Sequence, residues 1–341
     1  MTMFRLRLQR VCGVLLAAAL VAVLISPAHS AGQGPSPGVA ALGRGINILG
    51  YDGVWEGYWN APFRQENLDA IRKAGFSHVR INFFGFKYMD SDNVLDDAVL
   101  QRLDGVIEQV LARKLIPVLD EHDTHLCQRD IAECSVKLKA FWRQIASRYA
   151  KKYPALVFEI LNEPGGNMTL AEWNALLGAC LSIIRETNPT RSVVAAVLNV
   201  DELPIDQLAL PAGDRNLIVT FHYYAPLQFT HQGAPWSPIF SKIGPLNWGS
   251  AEDEAKASAD FDKIRLWSEK EQRPIYLGEF GVYESAPADS RVKYLSFMAR
   301  RAEKFGWAWA YWQFDHDFAA FDGARQRWNR EILRAIIPPG R

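Results

Sequence analysis

The sequence predicts an α/β protein built as one (β/α)₈ barrel, and three observations carry that prediction. Short apolar runs alternate with longer amphipathic ones, and the alternation repeats eight times between residue 45 and the end of the 341-residue chain. The first run continues into Tyr51-Asp52-Gly53-Val54-Trp55, without the Gly-rich phosphate loop of a doubly wound open sheet. No separate linker, short repeat or binding module interrupts the pattern, because the eight units use up the chain.

The predicted strands are Gly45 to Leu49, Ser77 to Phe83, Ile116 to Glu121, Val157 to Leu161, Ser192 to Leu198, Leu217 to His222, Pro274 to Gly278 and Trp307 to Gln313. Each is rich in β-branched or aromatic residues and too short for a helix. Helical spacing fills the intervals. Asp97 to Arg113 brings Val99, Leu100, Leu103, Val106, Ile107, Val110 and Leu111 to one face, and Leu138 to Tyr149 does so with Phe141, Trp142, Ile145 and Tyr149. Thr169 and Glu172 have the spacing of a capping box, while Lys73-Ala74-Gly75 and Lys304-Phe305-Gly306 place Gly at helix ends.

At the N-terminus, Arg5, Arg7 and Arg10 precede an apolar run of 15 residues, Val11 to Ile25, and then Ser26-Pro27-Ala28-His29-Ser30-Ala31. This is the pattern of a secretory signal peptide cleaved after Ser30, and the run is shorter than the roughly 20 residues of a membrane-spanning helix. Residues 31 to 44 form a Gly/Pro/Ser-rich lead-in and 45 to 341 the barrel domain, so a secreted or periplasmic protein is expected. Removing residues 1 to 30 leaves 35 Lys and Arg against 38 Asp and Glu, a balance that points to no polyanionic partner and no nucleic acid. A monomer is expected, with no stable membrane insertion after cleavage. Of four cysteines, Cys12 leaves with the signal. Cys127 and Cys134 flank a polar loop and can pair once exported, and Cys180 sits in the apolar spacing of Leu176, Leu177, Leu181 and Ile184 as a core residue.

In such a barrel, catalytic groups sit where strands end and βα-loops begin. The ends are unusually polar here: Arg80 and Asn82 on the second strand, Asp120-Glu121-His122 on the third, Asn162-Glu163-Pro164 on the fourth, His222-Tyr223-Tyr224 on the sixth, Glu279-Phe280-Gly281 on the seventh, and Trp312 with Asp315 on the eighth. Glu163 and Glu279 face the same barrel mouth. Glycoside hydrolysis needs two such carboxylates, one to protonate the leaving oxygen and one to attack or to activate water. Either alone could equally be a helix cap or half of an ion pair; together, among Arg, His, Asn, Tyr and Trp, they point to catalysis. Arg80 could instead neutralise Glu159, which alternation turns the same way as Glu163. His78, deeper on the parity of Arg80, is read as structural and as a partner for Glu159.

The set Asn162-Glu163-Pro164, Gly278-Glu279-Phe280-Gly281, Arg80 in His78 to Asn82, His122 after Val118 to Glu121, His222 and Tyr224 in Phe221 to Ala225, and Trp312 in Tyr311 to Phe314 resembles glycoside hydrolase family 5, from about Gly45 to Ile337. By that resemblance Glu163 is the general acid/base and Glu279 the nucleophile of a retaining, cellulase-type β-glycosidase. Arg80 would hold Glu279 ionised and Tyr224 would donate to it. Asn162 would meet the sugar 2-hydroxyl, His122 and His222 would bond the sugar or tune Glu163, and Trp312 would form a platform beneath the sugar. No cofactor or metal is implied. A cluster from His122 to Cys127 could be read as metal ligands, but export favours the disulfide.

Trp55, Tyr58 and Trp59 follow the first strand, and Trp236 and Trp248 lie in a long loop after the sixth. Any one of these rings can equally stack on a sugar or pack its loop against the barrel; their number favours a polysaccharide or oligosaccharide substrate. An endo-β-1,4-glucanase is the leading reading. The same mechanism on β-mannan or on a β-1,3 or mixed-linkage glucan, transglycosylation, and a non-catalytic carbohydrate-binding barrel are the alternatives.

Overall fold

The computed structural model describes residues 42–57, 62–199 and 203–339. The signal peptide, most of the lead-in, Tyr58 and Trp59 lie outside them. Eight parallel strands close in chain order: β1 Arg44–Ile48, β2 His78–Phe83, β3 Ile116–Glu121, β4 Val157–Glu159, β5 Val193–Ala196, β6 Leu217–His222, β7 Ile275–Glu279 and β8 Ala308–Tyr311. β1 pairs with both β2 and β8, which completes the ring. Every expected strand is present. β2 and β6 are buried along their whole lengths, as expected of strands packed on side chains within and helices without.

Helices Gln65–Ala74, Asp97–Ala112, Ile131–Arg148, Leu170–Thr187, Ala251–Glu271, Ala288–Lys304 and Arg330–Ile336 surround the ring. Asp96 and Asp130 cap two of them, and Thr169 with Glu172 forms the expected capping box. The fifth unit departs from the expected strand-then-helix pattern. Between β5 and β6 the described residues form only a 3₁₀ turn, Ile205–Gln207, and Pro204, Pro211 and Gly213 account for the missing helix.

Within the ring, Leu42, Val118, Val157, Val194, Ile218, Tyr276, Ala308 and Ala310 form an apolar plug. A larger shell, including Ile81, Phe158, Leu277 and Trp309, packs between strands and helices. His78 joins the plug. Its Nδ1 donates to Leu42 O at 2.7 Å, and its Nε2 faces the Tyr276 hydroxyl at 3.0 Å. The expected pairing with Glu159 does not form, because Glu159 is taken by Arg80. Gly45 is required here, since a Cβ would come within 2.1 Å of His78 Nε2. Cys180 is buried in the core as expected, and Cys127 and Cys134 are disulfide-bonded.

Burial pulls the His78 pKa down to about 4. As pH falls from 6.5 to 4 the unfolded histidine takes up a proton while the folded one does not, so this group's contribution moves against the native state. Replacing His78 with Gln removes that dependence. Urea unfolding is expected to show the stability difference between His78→Gln and the parent shifting toward the variant by about 2–3 kcal/mol from pH 7 to pH 4. A constant difference would contradict a neutral His78.

Candidate active site

A local irregularity brings Glu279 into the mouth of the barrel. Tyr276 points into the ring, so strict alternation would point Gly278 inward and Glu279 out. The pairing of β6 with β7 instead shifts between Phe221 and His222, which sets His222 opposite Glu279. Gly278 is the extra residue, and a Cβ on it would lie 2.6 Å from Thr220 Oγ1 and 2.9 Å from His222 Nε2. Such a bulge re-aims a side chain. Glu163 arrives differently. It lies beyond β4 at φ +38°, in the left-handed region.

The two carboxylates meet across one imidazole. His222 Nδ1 is 2.9 Å from Glu163 Oε1 and 3.6 Å from Glu279 Oε2. One ligand atom from each of Glu163, His222 and Glu279 lies within 4.8 Å of the others. Burial holds the His222 pKa at about 4, so the ring is neutral near pH 7, and Nδ1, facing two carboxylates, is the nitrogen that carries its hydrogen.

Beneath them lies Arg80, fully buried. Its Nε and Nη2 grip both oxygens of Glu159 at 2.8 Å. Its Nη1 donates to Glu279 Oε1 at 2.6 Å and to Asn47 Oδ1 at 2.9 Å, and its Nη2 also reaches Asn162 Oδ1 at 2.9 Å and Asp120 Oδ2 at 3.1 Å. Arg80 therefore does both things the sequence left open, neutralising Glu159 and contacting Glu279. One guanidinium facing three acids cannot fully offset the burial of all three. Burial pushes Asp120 up to about 7 despite Arg80, and it also raises Glu159. Burial raises Glu279 as well, against the opposing pull of His222 and Arg80. The expected stabilisation of ionised Glu279 by Arg80 is thus present but outweighed. Tyr224 donates its hydroxyl to Glu279 Oε2 at 2.8 Å, and burial raises its own pKa enough that it keeps this proton.

Asn162 bonds Arg80 through its oxygen and Thr124 Oγ1 through its nitrogen at 2.9 Å, which leaves one amide hydrogen for a substrate. His122 is nearly buried and bonded to Asp120, with its ring parallel to Trp312 at 5.7 Å. Trp236 is 49% exposed and packs edge-on against Tyr283 at 4.9 Å; Phe318 links it to Tyr224. The result is an aromatic wall leading to the carboxylates.

Two loop indoles do not belong to the cleft. Trp55 is 2% exposed, packs on Phe83 at 4.8 Å and donates to Leu49 O. Trp248 is 3% exposed between Tyr294 and Phe297. Both bury their ring faces to anchor loops on the barrel, so neither is a sugar platform. Sequence reasoning assigned no part to Asn47, Asp120, Tyr51 and Phe318. Polar residues at interior strand positions were the available signal for the first two. Tyr51, edge-on to Trp312 at 6.3 Å, and Phe318 carried no signal beyond lying in loops.

Glu163, His222 and Glu279 are also the group, among the described residues, that could offer three ligand atoms to a metal ion. The Arg80 charge 2.6 Å from Glu279 opposes a cation there. The disulfide removes Cys127 and Cys134 as thiolate ligands.

The family model for cellulase, glycosyl hydrolase family 5, matches residues 39–317. Endoglucanase H of Acetivibrio thermocellus is 31% identical over 89% of this chain, which spans about a third (33%) of that larger protein. Cellodextrinase A of Ruminococcus flavefaciens is 26% identical over 71% of this chain and 76% of its own length. Among solved structures, the endoglucanase Cel5A of the hyperthermophile Thermotoga maritima superposes with a TM-score of 0.83 at 38% identity, over 88% of this chain and 98% of its own. The cellulose synthase subunit Z of Clostridioides difficile does so with a TM-score of 0.82 at 33% identity, over 87% and 99%. An eightfold barrel with two glutamates meeting at its mouth, matched along most of its length by such relatives, belongs to glycosyl hydrolase family 5 and is a cellulase-like glycoside hydrolase.

Proposed function

We propose that the protein is a retaining, endo-acting β-glycosidase, most simply an endo-β-1,4-glucanase, with Glu279 as nucleophile and Glu163 as acid/base. The observation that supports the reading is the close approach of the two carboxylates, one oxygen of each lying within 4.8 Å of the other. Retention needs carboxyl groups about 5–5.5 Å apart, whereas inversion needs about 6.5–9.5 Å to admit a water between them. Glu163 gives its proton to the glycosidic oxygen as Glu279 forms a bond to the anomeric carbon. A water deprotonated by Glu163 then releases the sugar. Arg80 and Tyr224 hold one oxygen each of Glu279, leaving it a fixed orientation for attack. Trp312 supports the sugar undergoing cleavage, with His122 behind it. The remaining hydrogen of Asn162 faces the 2-hydroxyl.

The exposed face of Trp236 and the run of aromatics toward Tyr224 fit a chain of several sugars better than a single one. Endoglucanases among the relatives favour β-glucan. The Thermotoga maritima enzyme has been crystallised with mannotriose as well as with cellobiose, which keeps β-mannan as the second reading. Export through the N-terminal segment is part of the same proposal, and the disulfide suits an oxidising compartment. Among the described residues no helix is long and apolar enough to cross a membrane.

Reducing-end release from carboxymethyl-cellulose, mixed-linkage glucan, laminarin and β-mannan tests the substrate, with the parent expected to act on the first two. Glu163→Gln should lose about 10²–10⁴-fold on whichever is cleaved. Activity on mannan alone would replace the glucanase reading, and an unimpaired Glu163→Gln would end the enzymatic role of that residue.

Because burial raises Glu279 above its ordinary range, the rate should fall with acidification from a point above pH 4.5. Tyr224→Phe removes a donor to the ionised form. The acid limb of kcat/KM should therefore move to higher pH in that variant; an unmoved or lowered limb would contradict the assignment of Glu279 as the group that must be ionised.

A further inference from the structure

Glu163 holds a backbone conformation, φ +38°, that a residue with a side chain adopts only when its surroundings dictate it. On one side, Asn199 N donates to Pro164 O at 2.9 Å. On the other lies a short helix, Thr124–Arg129, of six residues. Thr124 Oγ1 bonds Asn162 O at 3.0 Å and Asn162 Nδ2 at 2.9 Å. Four residues on, Gln128 O accepts from Asn167 N at 2.9 Å, and the contact is so close that a Cβ on Gly166 would lie 2.8 Å from that same oxygen. The helix thus grips the backbone both before and after Glu163.

Six residues are far below the length at which a helix sustains itself in water. This one is fastened by the Cys127–Cys134 disulfide, which ties it to the following helix, Ile131–Arg148. That second helix is anchored on the barrel by fully buried Phe141, Trp142 and Ile145. The line of contacts runs from barrel to long helix, through the disulfide to the short helix, and through Thr124 and Gln128 to the acid/base loop.

We propose that the Cys127–Cys134 disulfide and Thr124 are positioning elements that aim the Glu163 carboxyl at the bond being cleaved. The inference rests on the reading of Glu163 as acid/base. A disulfide that merely stapled the chain would affect unfolding and leave the chemistry of the folded enzyme unchanged. A positioning role makes a more specific demand, because proton donation matters most when the departing group is poor.

The test uses the full chain and a series of aryl β-cellobiosides, or aryl β-mannobiosides if mannan proves to be the substrate, running from dinitrophenyl, which leaves without a proton, to methoxyphenyl. The Cys127→Ala/Cys134→Ala double variant and Thr124→Val are each expected to lose about tenfold in kcat/KM, which reports the glycosylation step, on the poorest leaving group, part of the 10²–10⁴-fold a general acid supplies. They should stay within about twofold of the parent in kcat/KM on the dinitrophenyl substrate, whose departure needs no proton, and Thr124→Ser should restore the parent's leaving-group dependence. Equal losses across the series, or none, overturn the proposal. Should the double cysteine variant fail to fold, the Thr124→Val and Thr124→Ser pair decides alone. Glu163→Gln run alongside separates the two levels: a flat series for it overturns the acid/base assignment itself, whereas a steep series for it with flat ones for the others overturns only the positioning role.

Discussion

Arg80 is fully buried, and its guanidinium meets Glu159 from β4, Asp120 from β3 and Glu279 from β7, together with Asn47 from β1 and Asn162 just past β4. Four strands of the ring thus converge on one rigid, planar donor carried by β2. A buried cation among three acids adds little net stability over an apolar core, because the desolvation of each charge offsets its attraction. It does make the alignment of those strands specific. A slip of one residue in β2 would turn Arg80 out of the ring and leave Glu159 buried without a cation.

The same arrangement makes two chemically identical side chains unequal. Glu279 is nearly enclosed, with both oxygens occupied by Arg80 and Tyr224. Glu163 is more open to solvent, and its Oε1 accepts from His222. The donors around Glu279 favour its ionised form while burial opposes that form, and the outcome is a carboxylate whose pKa lies above that of a free side chain. The neutral His222 between them places a hydrogen-bond donor, and no full charge, next to the acid. Asp120 behind His122 continues the network outward to Trp312, so that indole and the carboxylates rest on one connected layer.

Much of this was legible in the sequence because barrel strands have a strict period of two. Arg80, Asp120, Glu159 and His222 stand on the inward parity of their strands, and the eight apolar runs located the strands themselves. Glu279 breaks that parity. Gly278 is the only local trace of the bulge that turns it inward, and a lone glycine does not announce a bulge. The two roles open to each loop tryptophan could not be separated in the sequence for a different reason. An indole that anchors a loop and one that stacks on sugar have the same local sequence, and only the packing of Trp55 on Phe83 and of Trp248 on Tyr294 separates them from the exposed Trp236. The missing fifth helix follows from Pro204, Pro211 and Gly213, which a count of apolar runs overlooked.

The central claim is that this network presents Glu279, and not Glu163, as the group that attacks the anomeric carbon. A 2-deoxy-2-fluoro-β-cellobioside with a dinitrophenyl leaving group reaches the glycosyl-enzyme readily but leaves it slowly, because fluorine destabilises the positively charged transition state of both steps while the good leaving group speeds only the first. Mass spectrometry of the trapped protein, followed by peptide mapping, is the most direct measurement. One fluorocellobiosyl group on the peptide that carries Glu279 is the expected result. An adduct on Glu163, or turnover that yields the inverted anomer with no adduct, would contradict the account.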